Sequence, residues 1–178
     1  MKKVLGTIFI VVYSIVAIAI TVLLLSYNEY LCSEINGYTF YIVSDDSLEP
    51  NFVKGDLLIV NQSSAKNIEV GDKVFLYQNI TSSEYYIKYG EVTHISKQGS
   101  RYIYTIDNEY QYDSSYLMGK EEGSYFYHNI GAVLGVLESR WGYLFFIVIV
   151  TLLLFLEELY ELYMEVKYGN EIEVKKKG

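Results

Sequence analysis

A single cysteine among 178 residues rules out an internal disulfide, and with only two histidines it leaves too few soft ligands for a structural zinc site. Positive charge is scarce too. Lys and Arg number 14 against 22 Asp and Glu, a net charge of −8 with pI ≈ 4.8, which excludes nucleic acid as a partner because phosphate binding needs clustered cations. One proline and 13 glycines exclude a linker-rich chain, and 51% hydrophobic against 20% charged residues excludes a disordered one. No cofactor or metal is expected. The length suits one real domain rather than two.

What the chain does have is apolar ends. Val4 to Leu25 carries no charged side chain, and at about 1.5 Å per residue a helix of this length crosses a hydrocarbon core of roughly 30 Å. It is longer than the apolar core of a cleaved signal peptide and no small-x-small cleavage pattern comes after it, so it reads as a retained anchor. Cys32 reads as an ordinary free thiol, since Tyr30 and Glu29 stand where a lipidation signal has small residues. A second run, Tyr143 to Leu156, is shorter, but Trp141, Tyr143, Tyr160 and Tyr163 flank it as aromatic rings do at water–lipid interfaces. Lys2 and Lys3 precede the first run and Lys167 and Lys175 to Lys177 come after the second, while Tyr27 through Val53 has no Lys or Arg. By the positive-inside rule both ends are cytoplasmic and the middle is extracytoplasmic. The expected organisation is a stub and anchor over 1–26, a β-rich domain over 27–140, a second transmembrane helix over 141–163 and a cytoplasmic tail over 164–178. Glu157, Glu158, Glu161 and Glu165 read as a solvated helix face.

The middle is a series of short segments rich in β-branched and aromatic residues: Tyr38 to Val43, Asp56 to Val60, Lys73 to Tyr77, Tyr85 to Ile87, Glu91 to Ile95 and Arg101 to Ile106. Gly, Asn and Ser separate them. The pattern predicts a mainly β fold, a sandwich or partly closed barrel. Its many tyrosines suit exposed strand faces or a rim resting on the bilayer.

Three features carry possible chemistry. Ser47 stands in Ser44-Asp45-Asp46-Ser47-Leu48-Glu49-Pro50 at the end of an apolar segment. His94 lies in Glu91-Val92-Thr93-His94-Ile95, and an acidic stretch runs from Asp107 to Asp113. A serine hydroxyl needs a base, commonly a histidine whose tautomer a carboxylate holds. By local chemistry alone Ser47 is a turn serine and Asp45 and Asp46 are loop charges; the combination is what points to catalysis.

In that order the motifs resemble the signal peptidase I family, in its archaeal and endoplasmic-reticulum-type branch, over nearly the whole chain. Family members carry Ser-Gly-Ser-Met-Glu-Pro around the nucleophile, a Gly-Asp pair entering the next strand, a Val-Gly-Asp box, a His-Arg-Val-like base segment and a Gly-Asp-Asn-like acidic segment. The matching stretches here are Ser47-Leu48-Glu49-Pro50, Gly55-Asp56, Val70-Gly71-Asp72, Thr93-His94-Ile95 and Asp107-Asn108, with Asp113 six positions past Asp107. The resemblance implies Ser47 as nucleophile, His94 as general base, Asp113 as the orienting carboxylate and Asp107 as its support. The family's other main branch uses a lysine base, for which Lys88 in Tyr86-Ile87-Lys88-Tyr89-Gly90 is the candidate. His94 ranks first because histidine titrates near neutrality whereas lysine must shed its charge by desolvation. There are departures: Asp45 stands where the family has a serine of the oxyanion hole, Asp46 replaces Gly, and Thr105-Ile106 replaces Lys-Gly before Asp107.

The expected function is a membrane-bound serine endopeptidase removing signal peptides from secreted preproteins. Its partners would be those preproteins, the lipid bilayer and accessory subunits. The membrane would be a prokaryotic plasma membrane, or the endoplasmic reticulum in a eukaryote. The alternatives are a degenerate relative that binds peptides or subunits without cleavage, motivated by Asp45 and Asp46, and a tethered β-domain for adhesion or assembly.

Overall fold

The structure is a computed structural model that describes residues 2–81 and 84–176. Lys177, one of the lysines assigned to the cytoplasmic tail, lies outside the described residues. The chain divides into two units, 1–135 and 136–178.

The first unit begins with helix α1 (Lys2–Leu25). Of its described residues Ile20 alone is buried, and its hydroxyls bond back to their own helix, Ser14 to Ile10 O and Thr21 to Ala17 O. A helix apolar all round, with its polar groups satisfied internally, suits lipid. Its stretch Gly6–Leu25 is long and apolar enough to cross a membrane, with a mean hydropathy of 3.0.

The end of α1 is tied closely to the first strand. Beyond Leu25 the chain makes a tight hairpin: Asn28 N–H donates to Cys32 O, and Asn28 Oδ1 accepts from the N–H groups of Tyr30 and Cys32. The returning limb lies against the helix end, where Ser33 Oγ donates to Leu23 O and Glu34 N–H to Ser26 O.

Eight strands then form one sheet: β1 (Ser33–Ile35), β2 (Tyr38–Ile42), β3 (Leu57–Asn61), β4 (Lys73–Thr81), β5 (Glu84–Gln98), β6 (Arg101–Ile106), β7 (Tyr110–Asp113) and β8 (Leu117–Tyr127). Their order is β1-β2-β3-β8-β4-β5-β6-β7, and each neighbouring pair is antiparallel. This corrects the expected sandwich or barrel: the sheet is single and not closed, and the chain is 41% helical and 35% strand rather than mainly β. The physical reason lies in β4. Val74, Phe75, Leu76 and Tyr77 are all buried, so successive side chains feed cores on opposite faces of the same strand. Phe75 and Tyr77 join Val43, Leu48, Phe52 and Ile87 in one core; Val74 and Leu76 join Val92, Tyr104 and Ile106 in the other.

The six expected segments all fall in strands, with two of them merged into the single long β5. The Val70-Gly71-Asp72 turn docks β4 on β5: Gly71 N–H donates to Val92 O, and Val92 N–H to Asp72 O.

The second unit holds the end of helix α2 (Ile130–Glu138), then α3 (Arg140–Gly142), a π-helical stretch (Tyr143–Ile149) and α4 (Val150–Lys176). The run Arg140–Tyr168 is long and apolar enough to cross a membrane, with a mean hydropathy of 2.2. Its helix thus continues past the apolar run into the glutamate-bearing turns.

Candidate active site

Ser47 is displayed on a loop with a closed neck and a buried plug. Val43 N–H donates to Asp56 O (2.9 Å) and Gly55 N–H to Val43 O (2.8 Å), which joins the two ends of the loop. Leu48 and Phe52 insert into the core, Phe52 with its ring 4.9 Å from Phe126 and 5.2 Å from Tyr89. Gly55 takes φ +93°, a conformation side chains resist, and this turn lets Gly55 O accept from Ala132 N–H. Ser47 itself is exposed. Its N–H donates to Asp45 Oδ1 (2.9 Å), and its hydroxyl makes no hydrogen bond among the described residues.

Beneath the loop Asp56 is 1% exposed and takes hydrogen bonds from Val53 N–H and Asn129 N–H, while both its oxygens lie 3.1 Å from His128 Nδ1. Burial alone would raise this carboxyl. The hydrogen bonds and the imidazole outweigh burial and hold it below the usual carboxylate range. The Asp56–His128 pair joins residues 72 positions apart, and nothing in the sequence around either one points to the other.

A cavity of about 300 Å³ opens beside the loop, with Ser44 and Asp45 on one side and Tyr85 and Tyr86 of β5 on another. Tyr30, Tyr41 and the hairpin residues Leu31 and Cys32 complete it. Burial pushes the Tyr41 phenol and the Cys32 thiol each up to about 12, so both stay neutral at physiological pH. The Tyr30 ring stacks 3.9 Å from Tyr77 and meets Tyr85 edge-on at 5.1 Å.

Lys88 pairs with Leu76 on β4 and therefore shares the face of the sheet that carries Val74 and Leu76, opposite the one into which Leu48 and Phe52 insert. Its ammonium is 3.6 Å from Asp107 Oδ2 and 5.6 Å over the Tyr110 ring. Asp107 is in the left-handed region (φ +52°), and its other oxygen accepts from Glu91 N–H (3.0 Å).

His94 is placed differently. It is eight residues beyond Tyr86, on the order of 25 Å along an extended strand, with a bulge between Val92 and His94 on the way. Its ring is exposed and makes no hydrogen bond among the described residues.

Nor does Asp113 orient it. His94 pairs with Thr105 on β6, while Asp113 pairs with Ile103 on the far side of that strand, so two inter-strand spacings, about 10 Å, separate them. Asp113 instead accepts from Ser115 N–H (2.8 Å), capping the turn before β8, and faces Arg101 at 3.6 Å. Those hydrogen bonds and the Arg101 charge hold its carboxyl below the usual range. The structure therefore does not bring Asp113 to His94; Asp107 meets Lys88 and Asp113 meets Arg101.

Among the described residues no group of His, Cys, Asp or Glu is gathered so as to hold a metal ion. No family model matches the chain, and no curated protein matches it.

Proposed function

We propose that the chain is a membrane-anchored serine endopeptidase, resembling signal peptidase I, that cuts exported polypeptides at the outer surface of the bilayer, with Ser47 as nucleophile. The observation that carries this reading is the cavity that the root of the Ser47 loop lines together with Leu31 and Cys32 of the hairpin after α1. That hairpin leaves α1 at Leu25 and doubles back by Cys32, so its tip stands within about 13 Å of the helix end. A polypeptide emerging from the lipid would meet the loop at that height.

In this mechanism Ser47 Oγ attacks the scissile carbonyl carbon while a general base accepts the hydroxyl proton. Collapse of the tetrahedral intermediate breaks the C–N bond, and the base returns the proton to the leaving amine. Water, deprotonated by the same base, then hydrolyses the acyl-enzyme. The Ser47 N–H would stabilise the oxyanion by about 3 kcal/mol once it is free to donate.

A second reading, retention of peptides without cleavage, is favoured by one observation: Asp45 Oδ1 already occupies the Ser47 N–H. The deciding experiment incubates the full chain, reconstituted in lipid, with a preprotein and monitors the cut by mass. Cleavage that disappears in Ser47→Ala supports the endopeptidase; binding without any cleavage by the folded wild type supports retention.

A further inference from the structure

Helix α2 docks through two small residues and leaves an apolar face uncovered. A Cβ at Gly131 would come within 2.5 Å of Asp56 O, so the helix backbone lies against the neck of the Ser47 loop, where Ala132 N–H donates to Gly55 O (3.0 Å). Ile130, Val133 and Val136, spaced by three and hence along one side, are 47%, 63% and 57% exposed. No charged residue occurs from Asn129 through Leu137. A helix face turned to water carries polar or charged side chains; this one has none.

The chain on either side of the unit indicates what covers that face. Only Ser139 separates α2 from the apolar run Arg140–Tyr168, which places Val136 four residues, at most about 14 Å, from the start of that run. The other end of the unit is tied to α1, where Ser33 Oγ donates to Leu23 O and Glu34 N–H to Ser26 O. With both apolar runs in the membrane, the β unit is held to the bilayer at both ends, and α2 is delivered to its surface. Trp141, exposed just past α2, suits the same boundary.

We propose that α2 lies in the water–lipid interface with Ile130, Val133 and Val136 among the acyl chains, and that this seat fixes the height of the Ser47 loop. The inference rests on the membrane-anchored endopeptidase reading and adds a lipid contact that positions its nucleophile. Ala132 holds Gly55, and His128 and Asn129 hold Asp56, so a helix at fixed depth sets the neck of the loop at fixed depth. The seat therefore matters for a substrate that is itself embedded in the bilayer. A short soluble peptide reaches the loop at any height.

The test uses the full chain in phosphatidylcholine vesicles. Trp141 is the sole tryptophan, so Trp141→Phe combined with Val133→Trp puts a single fluorophore on α2. The expected result is strong quenching by bromine placed high on the acyl chains, weaker quenching by bromine near the bilayer centre, and little by aqueous iodide. Quenching by iodide and not by bromolipid puts the face in water and overturns the proposal. Quenching by neither means that a second copy of the chain covers it, which also overturns it. A second arm compares a vesicle-inserted preprotein with a short soluble peptide spanning the same cut, with a thermal melt of each variant to verify folding. Val133→Asp should lower turnover of the inserted preprotein about 10-fold and leave the soluble peptide within about twofold, while Val133→Leu changes neither. Equal loss on both substrates overturns the positioning role. Lipid quenching without cleavage of either substrate by the wild type upholds the seat of α2 and removes the endopeptidase reading.

Discussion

Lys88 and Asp107 meet at 3.6 Å across the β5–β6 pair because Gly90, two residues along β5, carries no side chain. A Cβ at Gly90 would run into the Ile106 side chain and come within 2.5 Å of Asp107 Oδ2. The missing side chain makes the space in which the carboxylate lies against the strand, accepts from Glu91 N–H and faces the lysine. One glycine thereby positions the acid beside the lysine.

Gly90→Ala should displace the Asp107 carboxylate and overpack the core at Ile106, at a cost of about 1–3 kcal/mol. The measurement is a denaturant titration of the chain in detergent, with cleavage assayed at a temperature where the variant stays folded. A variant as stable and as active as the wild type would contradict the steric account.

The choice between bases is read from pH and substitution together. Lys88→Ala should leave kcat within about twofold, because its ammonium pairs with Asp107 on the face of the sheet away from the Ser47 loop. A loss of about 100-fold or more would assign the base to Lys88, and a wild-type rising limb near the ordinary histidine value of about 6.5 that vanishes in His94→Ala would assign it to His94.

Asp56 links the base of the Ser47 loop to His128 and Asn129, and its carboxyl is held below the usual range. A lowered folded-state value contributes stability that is present above the unfolded value of about 3.9 and is lost as pH falls through the folded one. Thermal melts should therefore weaken below about pH 4. Asp56→Asn, which leaves buried donors facing an amide, should cost about 2 kcal/mol at neutral pH and flatten that acid limb. An unchanged acid limb in Asp56→Asn would show that other carboxylates carry it.

Phe52 plugs the Ser47 loop into the core against Phe75, Tyr89 and Phe126. Phe52→Ala should cost about 3–5 kcal/mol and raise hydrogen exchange at residues 44–55 before it does so in β4. Uniform loss of protection across the domain would mean that the loop has no stability of its own to lose.

Much of the fold is legible from local pattern. The uncharged run ending at Leu25 becomes α1, and the alternating aromatic and β-branched segments become β2 to β6, because apolar length and period-two alternation act within a few residues. β8 was not legible. Its Gly119, Lys120, Glu121, Glu122 and Gly123 lie in none of the expected segments and are residues that strands disfavour, yet they form a strand between β3 and β4. Gly119 fits there because Asn61 O and Val60 lie where its side chain would be. Tertiary pairing overrode local propensity.

The Ser47 loop, the β character of the middle and the two apolar helices come from the sequence alone, since each depends on neighbouring residues. Which ionisable groups share a site was decided only by the tertiary structure. Local chemistry favoured His94, but β5 is one continuous 15-residue strand that carries His94 away from the loop and, through the pairing of Lys88 with Leu76, turns Lys88 to the opposite face. Asp113 was drawn to Arg101 and Ser115, and Asp107 to Lys88. Such encounters are set by strand register and side-chain alternation between segments distant in sequence, which no short stretch of residues encodes.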